Sequence, residues 1–235
     1  MSDSTAPRAF EVRHVQLARA AFAAIATVMI TFSPDHSAVV GLSVFSGFAI
    51  ATGLIHLAAA WLVYPAGARW PSILLGIATL VAGMAGGIEP VRTVTGFFVV
   101  VVTWAVVTGV IETVAGVRGV RALRPREAKA GAVAAWDGGP QTYVAPRNDS
   151  RDAIVVGVLT LVLGIALLCV PSGYALQYTI EEAHASFTLT GITIAVGILG
   201  GYAAIVAVYL GIAGFSPRQP SPVLTEASAQ QKDPA

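Results

Sequence analysis

The chain has 235 residues, of which 55% are hydrophobic and only 11% charged, with a net charge of +1. Soluble domains carry about 25% charged residues. A mean hydropathy of +0.74, concentrated in long uncharged runs, therefore excludes the water-soluble classes and points to an integral membrane protein. Cys169 is the only cysteine, so an intrachain disulfide is excluded. Its apolar surroundings predict a small buried side chain.

Residues 1–13 are polar and form a short N-terminal segment ahead of a membrane domain over 14–215. Six apolar segments follow, at 14–32, 38–63, 71–88, 94–117, 153–170 and 185–215. Each approaches or exceeds the ~20 residues a helix needs to cross hydrocarbon. None alternates with a two-residue period, and a backbone in lipid must satisfy its own hydrogen bonds, so these are helices and not barrel strands. Arg13 and Arg19 before the first segment imitate a signal peptide. No small-x-small cleavage site follows and the segment recurs downstream, which predicts a retained helix.

A loop over 118–152 separates the fourth and fifth segments and opens with Arg118, Arg121, Arg124, Arg126 and Lys129. Residues 126–136 offer a short helix at the membrane surface, and Asp137-Gly138-Gly139-Pro140 turns the chain. From 216 to 235 the composition is rich in Pro, Ser, Gln and Ala and predicts a disordered tail. Of the 14 Lys and Arg residues, only Arg92 falls on the side opposite the basic loop. The positive-inside rule then places both termini and that loop in the cytoplasm, in a plasma or inner membrane. Trp61, Tyr64 and Trp70 cluster at the inner end of the second and third segments, where amphipathic rings favour the headgroups.

The segments repeat in pairs. Gly76 to Gly83 in the third matches Gly157 to Gly164 in the fifth, and both runs begin fourteen residues before a proline, Pro90 and Pro171. Ala20 stands at the same distance from Pro34. Two glycines seven apart share a helix face and let a neighbouring helix approach closely. Beyond the prolines, Thr52-Gly53 and Thr108-Gly109 fall in register, nineteen residues from Pro34 and Pro90 to the glycines. In the last copy Thr190-Gly191 and Gly200-Gly201 compete for that position, and the loop with Glu181, Glu182 and His184 reads as an insertion. The expected fold is thus all-α, with six transmembrane helices arranged as three parallel hairpin repeats at about 14–63, 71–117 and 153–215. Gly53, Gly76, Gly83, Gly109, Gly157 and Gly164 serve helix packing. Gly197 to Gly201 also spells G-x-x-x-G, usable inside the chain, the commoner case, or between chains.

Three hairpins that begin near an Arg, turn at a Pro and close on Thr108-Gly109-Val110-Ile111-Glu112-Thr113-Val114-Ala115-Gly116-Val117-Arg118 resemble the HdeD-like family of small bacterial acid-resistance membrane proteins. Gly109, Val110, Glu112 and Arg118 carry the family's closing pattern, with His56 in place of the Glu in the preceding copy. The resemblance covers 14–121 well and 151–215 more loosely, and the long basic loop departs from it. It implies a context of acid or envelope stress and supplies no chemistry.

Three polar residues stand inside the spans. At 1.5 Å per residue, Arg19 and Glu112 both lie about 8 Å from the inner membrane face, and His56 about one turn deeper. An ionised carboxylate there is protonated, paired, or faces a polar cavity. Arg19, His56 and Glu112 are therefore expected to form one inner-leaflet cluster. It acts either as a static interhelical lock or as a proton-responsive site, since His titrates near neutrality. The outer loops carry Asp35, His36, Glu89, Glu181, Glu182 and His184, a titratable set read mainly as solvated loop residues. Catalytic motifs and metal-ligand patterns are missing from the sequence, and the basic loop is a topology signal beside lipid and not a nucleic-acid site. The expectation is a non-enzymatic, cofactor-free membrane protein that meets the bilayer and possible copies of itself or other membrane proteins. The competing expectation is a small transporter or proton-coupled channel, which requires a water-accessible cavity reaching His56 and Glu112. A lock requires that region packed and dry.

Overall fold

The computed structural model describes residues 10–130, 147–180 and 185–216. Six helices dominate it: α1 (Val12–Thr31), α2 (Ala38–Leu62), α3 (Trp70–Gly87), α4 (Val94–Ala130), α5 (Arg147–Leu168) and α6 (Gly191–Phe215). All six contain stretches long and apolar enough to cross a membrane. The distribution of polarity is inverted relative to a soluble protein. Ile25, Val81, Val99, Ile165 and Val208 are exposed on the outside, while Gln16, Thr52, His56, Thr79, Thr108, Glu112 and Thr160 are buried inside. Lipid solvates such an exterior at no cost, whereas water would not.

Local chemistry sets the ends of the helices. The Glu11 N–H donates to His14 Nδ1 at 3.0 Å, occupying an amide at the N-terminus of α1. Ser37 accepts from the Val40 N–H at the start of α2, and Thr190 from the Thr193 N–H at the start of α6, both as N-caps. Pro71 stands in the first turn of α3, where its missing N–H is not needed.

Three boundaries differ from expectation. The fourth helix does not stop at Val117 but continues to Ala130, taking in part of the expected basic loop. Arg, Ala, Leu and Lys are good helix formers, and nothing requires a helix to end at the membrane face. The remainder of that loop, including the rest of the expected surface helix and the turn at 137–140, lies outside the described residues, as do 1–9 and 217–235. The fifth helix begins at Arg147, ahead of 153, with Asp149 in its first turn favouring the positive end of the helix dipole. The sixth begins only at Gly191. Residues 185–190, expected as its start, form β2 (Ala185–Thr190), paired antiparallel with β1 (Ala175–Ile180). Their Thr, Ser and Phe content suits a strand better than a helix. The expectation of an all-α chain is corrected by this β-hairpin between α5 and α6.

Helices pack most closely as α2 on α3 and α4 on α5, with α6 closing on α1. The glycines explain the approach. A Cβ on Gly53 would lie 3.0 Å from Gly76 O, and one on Gly76 would lie 3.1 Å from Gly53 O. Gly109 and Gly157 face each other the same way, at 2.9 Å in each direction. Gly83 sits against Ile50 and Ala49, and Ser46 Oγ adds a 2.7 Å hydrogen bond to Gly83 O. Gly164 is looser, with Ala105 Cβ at 3.4 Å as nearest neighbour. A Cβ on Gly197 or Gly201 would meet nothing within 4 Å among the described residues, and it is Gly200 that faces Ile30. Cys169 is exposed and not buried, because α5 ends at Leu168 and leaves it in the following turn.

Candidate functional site: a polar cavity at the inner end of the bundle

A cavity of about 280 Å³ opens at the end of the bundle where α1 and α5 begin and α2 turns into α3. Its walls carry Val12, Gln16 and Arg19 from α1, His56 from α2, Ser72 and Leu75 from α3, Glu112 and Gly116 from α4, Asp149, Asp152 and Val156 from α5, and Leu210 from α6. Every helix contributes. The polar groups gather on α1, α2, α4 and the start of α5, with Ser72 added from α3, and Leu75, Val156 and Leu210 form an apolar wall.

Arg19 and Glu112 meet at its deep end. Arg19 Nη1 donates to Glu112 Oε1 at 2.9 Å, and both side chains are largely buried, 14% and 8% exposed. The two residues sit 93 positions apart and meet across the cavity from α1 and α4, which are not packed neighbours. A charge-assisted bond of this length compensates much of the desolvation each ion suffers. His56 lines the same cavity and is 7% exposed. Its ring makes no direct hydrogen bond to either partner among the described residues, while its carbonyl accepts from Ser72 Oγ at 2.7 Å, which ties α2 to α3. The sequence-predicted trio thus shares one space, with the ion pair on one side and the imidazole on the other.

A second polar network near the mouth was not anticipated from the sequence. Gln16 Nε2 donates to Asp152 Oδ2 and Tyr209 O–H to Asp152 Oδ1, both at 2.8 Å. Asp152 is the last residue of the expected loop over 118–152, and Tyr209 falls inside the sixth apolar segment. An earlier start for the fifth helix would have brought Asp152 onto its first turns.

Deeper in, a chamber of about 20 Å³ is lined by Arg19, Thr52, His56, Thr79, Thr108, Glu112, Thr160 and Tyr202 among others. Above it the core closes. Trp104 makes edge-to-face contacts with Phe45, Phe48 and Tyr202 at centroid distances of 5.1, 6.1 and 6.1 Å, a geometry aromatic rings favour. Leu42, Phe97 and Leu199 pack in the same core. The cavity therefore has a mouth at the inner end and an aromatic floor.

The outer candidates do not converge. Asp35 accepts from the backbone N–H and the hydroxyl of Ser37 at 2.9 and 2.8 Å, so it organises the α1–α2 turn. Glu89 lies in a single 3-10 turn over Glu89–Val91, and His36 is half-buried in the α1–α2 turn. Glu181, Glu182 and His184 lie outside the described residues. Among the described residues no three His, Cys, Asp or Glu side chains are placed to hold a metal. At the inner end Arg69 sits 4.9 Å over the Trp61 ring, and Trp61 and Trp70 are both 67% exposed, as interfacial anchors are. Tyr64 turns inward and lines the cavity.

Comparison with protein-family models, curated proteins and solved structures finds no match to this chain. The likeness to the HdeD-like family accordingly rests on the residues quoted for it and on nothing further.

Proposed function

We propose that this chain is a non-enzymatic, multi-pass membrane protein in which three hairpin repeats surround an axial cavity, open to the cytoplasm, that responds to protons. The observation that carries this is the cavity reaching Arg19, His56 and Glu112. A static lock has no need of such a space, and a proton-responsive site requires one. Acid or envelope stress is the physiological setting, on the strength of the HdeD-like residues. A through-conducting transporter or channel is the less supported alternative, because Phe45, Phe48, Trp104 and Tyr202 close the outer side of the polar region.

The repeat arrangement is supported by equivalent contacts. Adding 56 carries Ala20 to Gly76 and Gly53 to Gly109, and adding 81 carries Gly76 to Gly157. The facing pairs Gly53–Gly76 and Gly109–Gly157 are then one contact made twice. A third contact of the same kind supports a register for α6. A Cβ on Gly116 would meet Ser150 O and Ile154, and one on Gly214 would meet Arg13 O and Leu17. Residues 13 and 17 correspond to 150 and 154, so 214 corresponds to 116, an offset of 98. Neither Gly191 nor Gly201 is the counterpart of Gly53 and Gly109; Ala207 is. The excess of 17 over the first-helix offset is the length added by the β1–β2 excursion.

In that register the cavity is lined by complete triplets: Arg19, Leu75 and Val156; His56, Glu112 and Leu210; Gln16, Ser72 and Ala153. A space that touches all three members of a triplet lies on the axis relating them. The third repeat has lost the polar member, so a threefold scaffold holds a single polar site. Cytoplasmic termini are supported by the Lys and Arg distribution.

His is the side chain whose ordinary titration falls between pH 5 and 8. The charged and titratable groups sharing the cavity and chamber with His56 are Arg19 from α1, Tyr64 beyond the end of α2, Glu112 from α4, Asp149 and Asp152 from α5, and Tyr202 from α6, while α3 adds the uncharged Ser72. The test is the fluorescence of Trp104, isolated by replacing the other tryptophans, titrated from pH 8 to 5 in bilayers. The proposal expects a transition in the protein that His56→Asn removes. A flat titration, or one unaffected by His56→Asn, refutes it.

A further inference from the structure

Among the described residues, Thr52 and Thr113 carry buried hydroxyls without a hydrogen-bond partner, and of the two Thr52 lines the deep chamber. Thr27, Thr108 and Thr160 each return their hydroxyl to a carbonyl one turn earlier, Ala23 O, Trp104 O and Val156 O, at 2.9, 2.6 and 2.8 Å. This is the usual way a hydroxyl is satisfied in a membrane helix. Thr52 is only 4% exposed, and its Oγ1 has no hydrogen-bond partner among the described residues. Its side chain lines the deep chamber. A buried hydroxyl without a partner loses the hydration it would have in water and gains nothing in return.

The chamber has the size and chemistry of one water molecule. Its volume of about 20 Å³ exceeds the ~10–15 Å³ of probe volume that a water requires. Because the Thr160 hydroxyl donates to Val156 O, the Tyr202 O–H donates to Thr160 Oγ1 at 2.8 Å. The Tyr202 oxygen is left with acceptor capacity. Thr108 Oγ1, spent as a donor to Trp104 O, has acceptor capacity also. Thr52, together with Thr79, whose Oγ1 only accepts from Trp104 Nε1 at 3.3 Å, brings an unspent donor to the chamber. A ligand that accepts from one hydroxyl and donates to others, within this volume, is water. A lone cation would face the Arg19 charge, and a lone anion the Glu112 charge.

We infer that the chamber binds a single ordered water, held by Thr52 Oγ1 and by chamber acceptors among Thr108, Glu112 and Tyr202. This water extends the polar path of the cavity past His56 to the Tyr202–Thr160 pair, directly beneath the aromatic closure. The inference rests on the proposed hydrated cavity and adds to it a specific site with Thr52 as its ligand.

Thr52→Val keeps the shape and removes the hydroxyl. With the water bound, the substitution deletes a hydrogen bond and leaves the water short of a partner, so the thermal midpoint of the full chain in bilayers falls by about 2–4 °C. In a dry chamber the same substitution relieves an unsatisfied group, and an unchanged or raised midpoint overturns the inference. Should the variant not assemble, water-to-protein magnetisation transfer in solid-state NMR of the unmodified protein decides. Transfer reaching the Thr52 side chain supports the site, and transfer that stops at the cavity mouth overturns it. Failure of the cavity reading itself registers separately, as a cysteine at Ser72 that resists water-soluble thiol reagents.

Discussion

Removing the Glu112 carboxylate tests the energetics of the site most sharply. Glu112→Gln leaves a neutral side chain of nearly the same shape and strands the Arg19 guanidinium, whose side chain is only 14% exposed. Deleting one partner of a buried ion pair costs about 3–5 kcal/mol, because the surviving charge remains desolvated. Both residues line the cavity, and water reaching Arg19 from there lowers the cost towards the bottom of that range. At about 2–4 °C per kcal/mol for a chain of this size, ~3 kcal/mol is a fall of about 6–12 °C in the midpoint. Arg19→Met strands the carboxylate and costs a similar amount. The double variant Arg19→Met with Glu112→Leu removes both charges and replaces them with apolar volume, and recovers a large part of the loss. The assay is thermal unfolding in lipid nanodiscs for the unmodified protein, the two single variants Arg19→Met and Glu112→Leu, and the double. The expected coupling is at least about 1.5 kcal/mol. Losses that add to within ~0.5 kcal/mol refute the pair as an energetic unit.

Two further outcomes follow from packing and topology. Gly157→Ala and Gly164→Ala sit at matching ends of the same glycine spacing yet differ in effect. A Cβ at 157 meets Thr113 N at 2.6 Å and Gly109 O at 2.9 Å, whereas one at 164 finds Ala105 Cβ at 3.4 Å. Thermal unfolding should show a loss of about 1–3 kcal/mol for the first and less than ~0.5 kcal/mol for the second, and equal effects contradict the helix approach described. Cys169, exposed in the turn after α5, supplies a native topology probe. A membrane-impermeant thiol reagent applied to intact cells should label it from outside, and labelling from the cytoplasmic side alone reverses the orientation.

Much of the architecture was legible because lipid leaves few choices. Uncharged runs of sufficient length had to be helices, and glycines seven apart had to face a neighbour. Depth along a helix is set by counting residues, which is why Arg19 and Glu112 could be matched before any contact was known. Helix ends away from the bilayer were less legible. Nothing in Arg118–Ala130 marks where α4 leaves the membrane, because basic residues favour helix in water as well. Residues 185–190 resembled the apolar run they precede, and the strand pairing that claims them is a tertiary choice. The register proposed for the third repeat was hidden for the same reason. Ala207 looks like any other alanine, and only the contacts of Gly214 with Arg13 and Leu17 identify its neighbours. Thr52 and Thr108 occupy the same motif, and no sequence rule tells which hydroxyl turns back to its own helix and which faces the chamber.

Water access to the cavity is the direct test of the account. With Cys169 replaced by Ser, single cysteines at Ser72 and Ala153, both lining the cavity, are compared with one at Ala105, fully buried in the core. The reagent is a charged, water-soluble thiosulfonate applied to inside-out vesicles. The account predicts that the cysteines at 72 and 153 react readily, that the one at 105 does not, and that prior reaction at 72 protects a second cysteine placed at His56. Cysteines at 72, 153 and 56 that are all as unreactive as the one at 105 would mean a packed, dry inner end, and Arg19–Glu112 would be a structural lock.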